Sequence, residues 1–253
     1  MSLSSITTSI HYVGDQRIHL LEAGQQGTPE VLLIHGGLGD ADLHWHNTLT
    51  ALGASFHVYA PDLPGFQDES DPVKMLSLPR IMQWINDLLH SLNVEKVFLV
   101  GTSVGGLLAR FYAAQYTATV KRLILVDGGQ ITPLPALVCT LINAPGLSSA
   151  FYRLMYHQTY SRASLRRSLY QHDLLTEEFF QILERASKGY MPLLRALLAE
   201  QWPTTRTPQC PTLIMWGKED HLASPQEGEK LLREIPYAEF VLIEQSGHMP
   251  MLE

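Results

Sequence analysis

Gly101-Thr102-Ser103-Val104-Gly105 stands directly after an apolar run, Val97-Phe98-Leu99-Val100, and directly before a helix-like stretch, Leu107 to Tyr116. A serine between two glycines, where a strand hands over to a helix, makes a nucleophile elbow. The turn is so tight that the serine takes a strained backbone conformation and its neighbours two positions away must be small. The hydroxyl is then presented above the sheet, and the next amide faces the place where negative charge would develop. The five letters alone are weak evidence; their placement carries the reading.

The rest of the chain supplies the sheet that such a turn needs. Ile18 to Leu21, Val31 to Ile34, His57 to Ala60, Val97 to Val100, Leu123 to Val126, Leu213 to Trp216 and Phe240 to Ile243 read as short strands. Between two of them, Leu78 to Leu92 places Ile81, Trp84, Ile85, Leu88, Leu89 and Leu92 at helical spacing. Near-continuous apolar strands separated by helices predict a mainly parallel, doubly wound α/β sheet, with sites at the carboxyl ends of the strands. The rhythm breaks between Val126 and Leu213, where helix-like patterning runs without a strand signal. This predicts a core of residues 1–129 and 204–253 and an inserted helical cap at 130–203.

A serine hydroxyl needs a base to take its proton and a third group to orient that base. His248, in Ser246-Gly247-His248-Met249-Pro250, follows the last strand and is the expected base. Asp220, in Gly217-Lys218-Glu219-Asp220-His221, follows the strand ending at Trp216 and is the favoured acid. Asp127, at the end of the strand after the elbow's helix, competes for that role. Glu219 reads as a solvated neighbour and His221 as a surface histidine. Oxyanion donors are expected from the amide of Val104 and from His35-Gly36-Gly37-Leu38-Gly39, with Gly37 first and Leu38 next. His35 is expected to hold that loop, and His44-Trp45-His46 to line the site entrance or pack on the following helix.

Taken together, the chain resembles the α/β-hydrolase superfamily, and specifically its capped serine hydrolases. The matching segments are His35 to Gly39, Asp62-Leu63-Pro64-Gly65-Phe66, Gly101 to Gly106, Gly217 to Asp220 and Ser246 to His248. The resemblance implies a Ser103 nucleophile, a His248 base, an Asp220 acid, and a cap between sheet strands six and seven. It makes Asp62 to Phe66 a structural turn. Serine at 103 separates the chain from similar dehalogenases and epoxide hydrolases, which carry aspartate there. Family members usually continue with a helix after the histidine loop; with Glu253 last, one face of the final strand is expected to be uncovered and the His248 loop loosened.

Composition narrows the partners. A net charge of −7 argues against nucleic acid. Met1 to Ile10 lacks a basic start and an apolar core, and the stretch from Leu134 to Leu147 is too interrupted to span a membrane. Cys139 and Cys210 have no metal or redox spacing and read as buried reduced thiols, which suits a cytoplasmic enzyme. No metal or organic cofactor is implied. The cap combines Leu134, Leu137, Val138, Leu141, Phe151, Leu154, Met155, Phe179 and Phe180 with Arg153, Arg162, Arg166 and Arg167. The arginines read as solvated, or alternatively as receivers of a carboxylate, a phosphate or an acidic carrier protein. The leading expectation is hydrolysis of a small-molecule carboxylic ester. A carbon–carbon bond hydrolase of a dicarbonyl acid is the runner-up, with a slow-turnover ligand receptor beside it. Proline iminopeptidase-like enzymes share the His-Gly-Gly loop but follow it with proline, where this chain has Leu38.

Overall fold

The structure, a computed structural model, describes residues 5–66, 77–130, 138, 144, 147–199 and 207–253. Its strands are β1 (Thr7–Val13), β2 (Gln16–Ala23), β3 (Glu30–Ile34), β4 (His57–Pro61), β5 (Val97–Thr102), β6 (Val120–Val126), β7 (Thr212–Gly217) and β8 (Glu239–Ile243). They form one sheet in the order β1-β2-β4-β3-β5-β6-β7-β8. β2 runs antiparallel to β1 and β4, and every pair from β4 to β8 is parallel.

Alternation along the central strands sends side chains to two cores. Leu32, Ile34, Leu99, Leu125, Ile214 and Trp216 share one core with α2 (Leu78–Ser91), α3 (Val104–Gln115) and Leu231 of α7 (Pro225–Glu234). Val31, Leu33, Val58, Val100 and Val126 share the other with Trp45 and Leu49 of α1 (Ala41–Leu52). α2 begins at Ser77 with proline in its first turn and buries the stripe from Ile81 to Leu89, as its spacing predicts.

On the second face, half-buried Phe56, Phe98, Ile124 and Leu213 line an apolar groove of about 620 Å³, rimmed by the exposed Tyr237. At the sheet edge, Val241 and Leu242 of β8 are 44% and 42% exposed.

Between β6 and β7 the described elements are helices: α4 (Leu147–Tyr160), α5 (Arg162–Ser168), a 3-10 turn at His172–Leu174, and α6 (Glu177–Ala199). A third small core joins this segment to the loops above the sheet: Leu165, Leu169, Phe179 and Leu183 pack with Leu38 and Met249. Leu134, Leu137, Cys139, Leu141 and the expected cap boundary at 203/204 lie outside the described residues.

Three local readings change. β1 carries no apolar run, because Thr7, Thr8 and Ser9 are polar and Val13 alone is buried on this edge strand. The helix after the elbow starts at Val104, not Leu107, because Gly105 and Gly106 mask its first turn in a propensity reading. Cys210 is a free thiol but only half-buried.

Candidate active site

Ser103 sits between β5 and α3 with φ 51° and ψ −120°, the left-handed backbone that the elbow requires. Close packing enforces it. A Cβ on Gly101 would lie 2.3 Å from the Gly105 carbonyl oxygen, and one on Gly105 would lie 2.4 Å from the carbonyl oxygens of Ile34 and His35. Gly128, just past β6, presses from the side: its Cβ would come within 2.1 Å of the Ser103 carbonyl oxygen. Val104 is the first residue of α3, so its amide is one of the donors that a helix leaves without an intrahelical partner. The positive end of the helix dipole adds to its pull on an anion.

His248 and Asp220 arrive from the ends of β8 and β7. His248 Nδ1 donates to Asp220 Oδ2 at 2.7 Å, which leaves Nε2 as the acceptor facing Ser103 Oγ at 3.1 Å. Asp220 is buried and pinned at its other oxygen by the amides of Leu222 and Ala223, at 2.8 and 2.9 Å. Burial opposes a charge on His248, but the Asp220 carboxylate and its hydrogen bond outweigh it and raise the imidazole pKa above the usual 6.5. Asp127 is not the partner of His248. Its Oδ1 accepts from the Gly217 amide at 2.7 Å, and its buried Oδ2 has no hydrogen-bond partner among the described residues. Burial, together with the charge of Asp220, pushes its pKa well up against the opposing pull of His248.

Glu219 is a correction to the solvated reading. It is half-buried, and its carboxylate accepts from the Ser246 amide at 3.0 Å, bracing the histidine loop. The loosened His248 loop is a second correction. The Glu253 carboxylate accepts from Gly247 N at 2.7 Å and from Gln171 N at 2.9 Å, and His248 N donates to Ser168 O at 2.7 Å. His221 is exposed, as expected.

The glycine loop after β3 lies against the nucleophile: a Cβ on Gly36 would sit 3.1 Å from Ser103 Cβ and 3.2 Å from His44 Nε2. His35 holds this loop. Its Nδ1 donates to Gly36 O at 2.7 Å, and its Nε2 accepts from Leu63 N at 2.8 Å. Burial keeps it neutral, lowering its pKa to about 4. Leu63 opens a turn closed by Phe66 N to Leu63 O at 3.1 Å, with Pro64 and a left-handed Gly65 (φ 87°) at its centre, so Asp62 to Phe66 is structural. Asp62 itself ties this turn to α1 by accepting from Ala41 N at 2.8 Å.

Gly37 and Leu38 are both buried, and the Leu38 side chain belongs to the third core. Tyr160 donates its phenol to Gly37 O at 2.7 Å, and the Tyr190 ring covers Gly37, where a Cβ would meet ring carbons at 2.4 Å. Neither tyrosine is conspicuous in sequence, because helical spacing shows that a residue is buried and not what it touches. His44 is likewise nearer the site than its helix suggests. Buried beside Gly36, it donates from Nδ1 to Asp40 O at 2.9 Å, and burial lowers its pKa to about 3. Trp45 is core, and His46 is exposed beside Asp42.

Arg153, Arg162, Arg166 and Arg167 are exposed. Arg162 is engaged by Glu177 at 2.8 Å and lies over the Phe180 ring at 4.0 Å. Phe179 is buried, Phe151, Met155, Phe180 and Val138 are half-buried, and Leu154 is exposed. Among the described residues, no three His, Cys, Asp or Glu side chains form a group able to hold a metal ion, and no helix is long and apolar enough to cross a membrane.

Known proteins share this architecture. The chain is 28% identical over 254 residues to Lipase 1 of Psychrobacter immobilis, spanning 95% of this chain and 77% of that one. It is 26% identical over 257 residues to the 2-hydroxy-6-oxo-6-phenylhexa-2,4-dienoate hydrolase of Burkholderia cepacia, spanning 94% and 86%. The solved 2-hydroxy-6-oxo-6-phenylhexa-2,4-dienoate hydrolase of Rhodococcus sp. strain RHA1 superposes with a TM-score of 0.76 at 20% identity over 99% of this chain and 94% of that one, a likeness of fold. The model of the alpha/beta hydrolase fold matches residues 29–253, which include the serine turn, both loops that meet it and the helices above. With the sheet order, the serine turn and the family match in agreement, the chain belongs to the alpha/beta hydrolase fold family.

Proposed function

We propose that this protein is a serine hydrolase cleaving small-to-medium carboxylic esters through an acyl-enzyme. The observation that carries the reading is the hydrogen-bonded chain from Ser103 Oγ through His248 to Asp220, at 3.1 and 2.7 Å. In this reading His248 Nε2 takes the Ser103 proton as Oγ attacks the ester carbonyl carbon. The carbonyl oxygen becomes an oxyanion received by the amides of Val104 and Gly37, with Leu38 the alternative donor. Collapse expels the alcohol, which leaves with the proton held by His248. Water then attacks the acyl carbon, gives a proton to His248, and the carboxylic acid departs as Ser103 is restored. Asp220 keeps the imidazole in the tautomer that presents its lone pair to Ser103. The inserted segment 130–203 acts as the cap that shapes the acyl pocket.

A second reading, hydrolysis of a carbon–carbon bond in a dicarbonyl acid, draws on the Burkholderia cepacia relative. The exposure of Arg153, Arg162, Arg166 and Arg167 weighs against it, since none is buried to receive the acid. p-Nitrophenyl esters from acetate to octanoate separate the readings. The expected result is sustained turnover at about 1 per second or faster, abolished in Ser103→Ala, with the chain-length profile sizing the pocket. A single burst equal to the protein concentration points to a receptor or to slow deacylation by a displaced His248, and no reaction by folded protein brings the carbon–carbon reading forward.

A further inference from the structure

The loop that offers the oxyanion donor is clamped from two directions, and one clamp belongs to the inserted helices. Gly37 has no side chain to limit its backbone, so rotation there would swing both of its peptide planes and their amides. In a trans peptide the carbonyl and the next amide point oppositely. His35 holds the carbonyl of Gly36 at 2.7 Å, which fixes the Gly37 N–H. Tyr160, the last residue of α4, holds the carbonyl of Gly37 at 2.7 Å, which fixes the Leu38 N–H. Tyr190 of α6 closes over the same α-carbon, and its ring meets that of Tyr160 edge to face at 6.1 Å between centroids. Tyr156 stacks on Tyr160 at 5.1 Å between centroids. The short helix α5 that follows ends at Ser168, whose carbonyl accepts from His248 N at 2.7 Å. One strap, Tyr160 to Leu169, therefore touches both the oxyanion loop and the base loop, and its Leu165 and Leu169 pack with Leu38 of the first and Met249 of the second.

Resting on the serine-hydrolase reading, we infer that Tyr160 is a positioning residue for the oxyanion hole, by which the inserted helices set the donor geometry of the core. The phenol touches no reacting atom; it holds the Gly37–Leu38 peptide and its Leu38 amide directly, and by fixing that plane it limits the rotation at Gly37 that would swing the Gly37 amide. Phenylalanine at 160 keeps the stacking with Tyr156 and Tyr190 and removes only the hydrogen bond.

Tyr160→Phe is the test, read by two independent measurements. Hydrogen exchange across residues 36–39 is expected to quicken by about tenfold or more, because a clamped turn becomes free to open. On a p-nitrophenyl ester, kcat is expected to fall about tenfold with KM within twofold, since a displaced donor weakens the transition state and not ground-state binding. Affinity for a trifluoromethyl ketone, whose serine adduct carries the oxyanion, should fall by the same factor as kcat. Unchanged exchange at 36–39 overturns the clamp whatever the activity does. Faster exchange with unchanged kcat and ketone affinity overturns its service to the oxyanion hole, as does a rise in KM alone. A Ser103→Ala protein that still turns over defeats the nucleophile reading instead, and the exchange measurement tells the two failures apart because it needs no chemistry.

Discussion

Two aspartates stand at the ends of neighbouring strands beside one histidine, and their hydrogen bonds divide their roles. Asp220 spends one oxygen on two loop amides and the other on His248 Nδ1. Asp127 spends one oxygen on the Gly217 amide, and burial favours a proton on the carboxyl. Asparagine at 127 can keep the acceptor for Gly217 and tolerates the left-handed backbone there, where φ is 44°. Asparagine at 220 can present its amide nitrogen to His248 and so favour the wrong tautomer. We expect Asp220→Asn to lower kcat/KM by about 10³-fold or more and Asp127→Asn by less than about tenfold. Steady-state kinetics of the two variants decides it; the reverse order would make Asp127 the acid. Sequence alone favours Asp220 and keeps Asp127 as its competitor, because each ends a strand at the same edge.

At the scale of elements, the site depends on how closely β6 can approach the elbow. Gly128 follows β6 and meets the Ser103 backbone, not a side chain that could rotate away. Gly128→Ala must therefore displace either the end of β6 or the serine turn. Overpacking of this kind costs about 1–3 kcal/mol. A lower Tm is expected, together with a drop in kcat of more than tenfold; a variant with normal Tm and normal turnover would show that the turn is looser than its packing. The histidine loop is likewise set by neighbours: Gly217 permits the approach of Gly247 O, and Gly247 that of Ser168 O.

Across the whole molecule, buried titratable groups link the site to the sheet. His35 and His44 are kept neutral by burial, with pKa values near 4 and 3, while Asp62 is raised to about 7 by burial and by the nearby Asp40 and Asp42. Unfolded, Asp62 ionises near 3.8; folded, it keeps its proton to about 7. The unfolded chain thus holds fewer protons between those values, and folding loses stability as pH rises through that window. Asparagine keeps the acceptor for Ala41 N without the buried charge. Asp62→Asn is expected to be more stable than the parent at pH 8, by a few kcal/mol at most (about 1.4 kcal/mol per pKa unit), with the gap closing toward pH 4. Thermal melts of both proteins from pH 4 to 8 check this, and a gap independent of pH would refute it.

Local rules suffice for the parallel strands, the amphipathic α2 and the strained turn at Ser103, because apolar periodicity and glycine placement act over a few neighbouring residues. The ends of those strands also point to Ser103, Asp220 and His248, since a parallel sheet gathers its carboxyl ends on one side. Sequence ranks Asp220 above Asp127 without showing which one meets the imidazole, and it could not say that Glu219 and Glu253 brace the histidine loop or that Tyr160 holds the Gly37 carbonyl. Apart from the Gly247–Glu253 bond, those contacts join residues far apart in the chain; the Tyr160 bond alone spans 123 positions. They exist only once the sheet is ordered and the helices are laid across it. Hydrogen bonds select by direction and distance, and only tertiary packing supplies both.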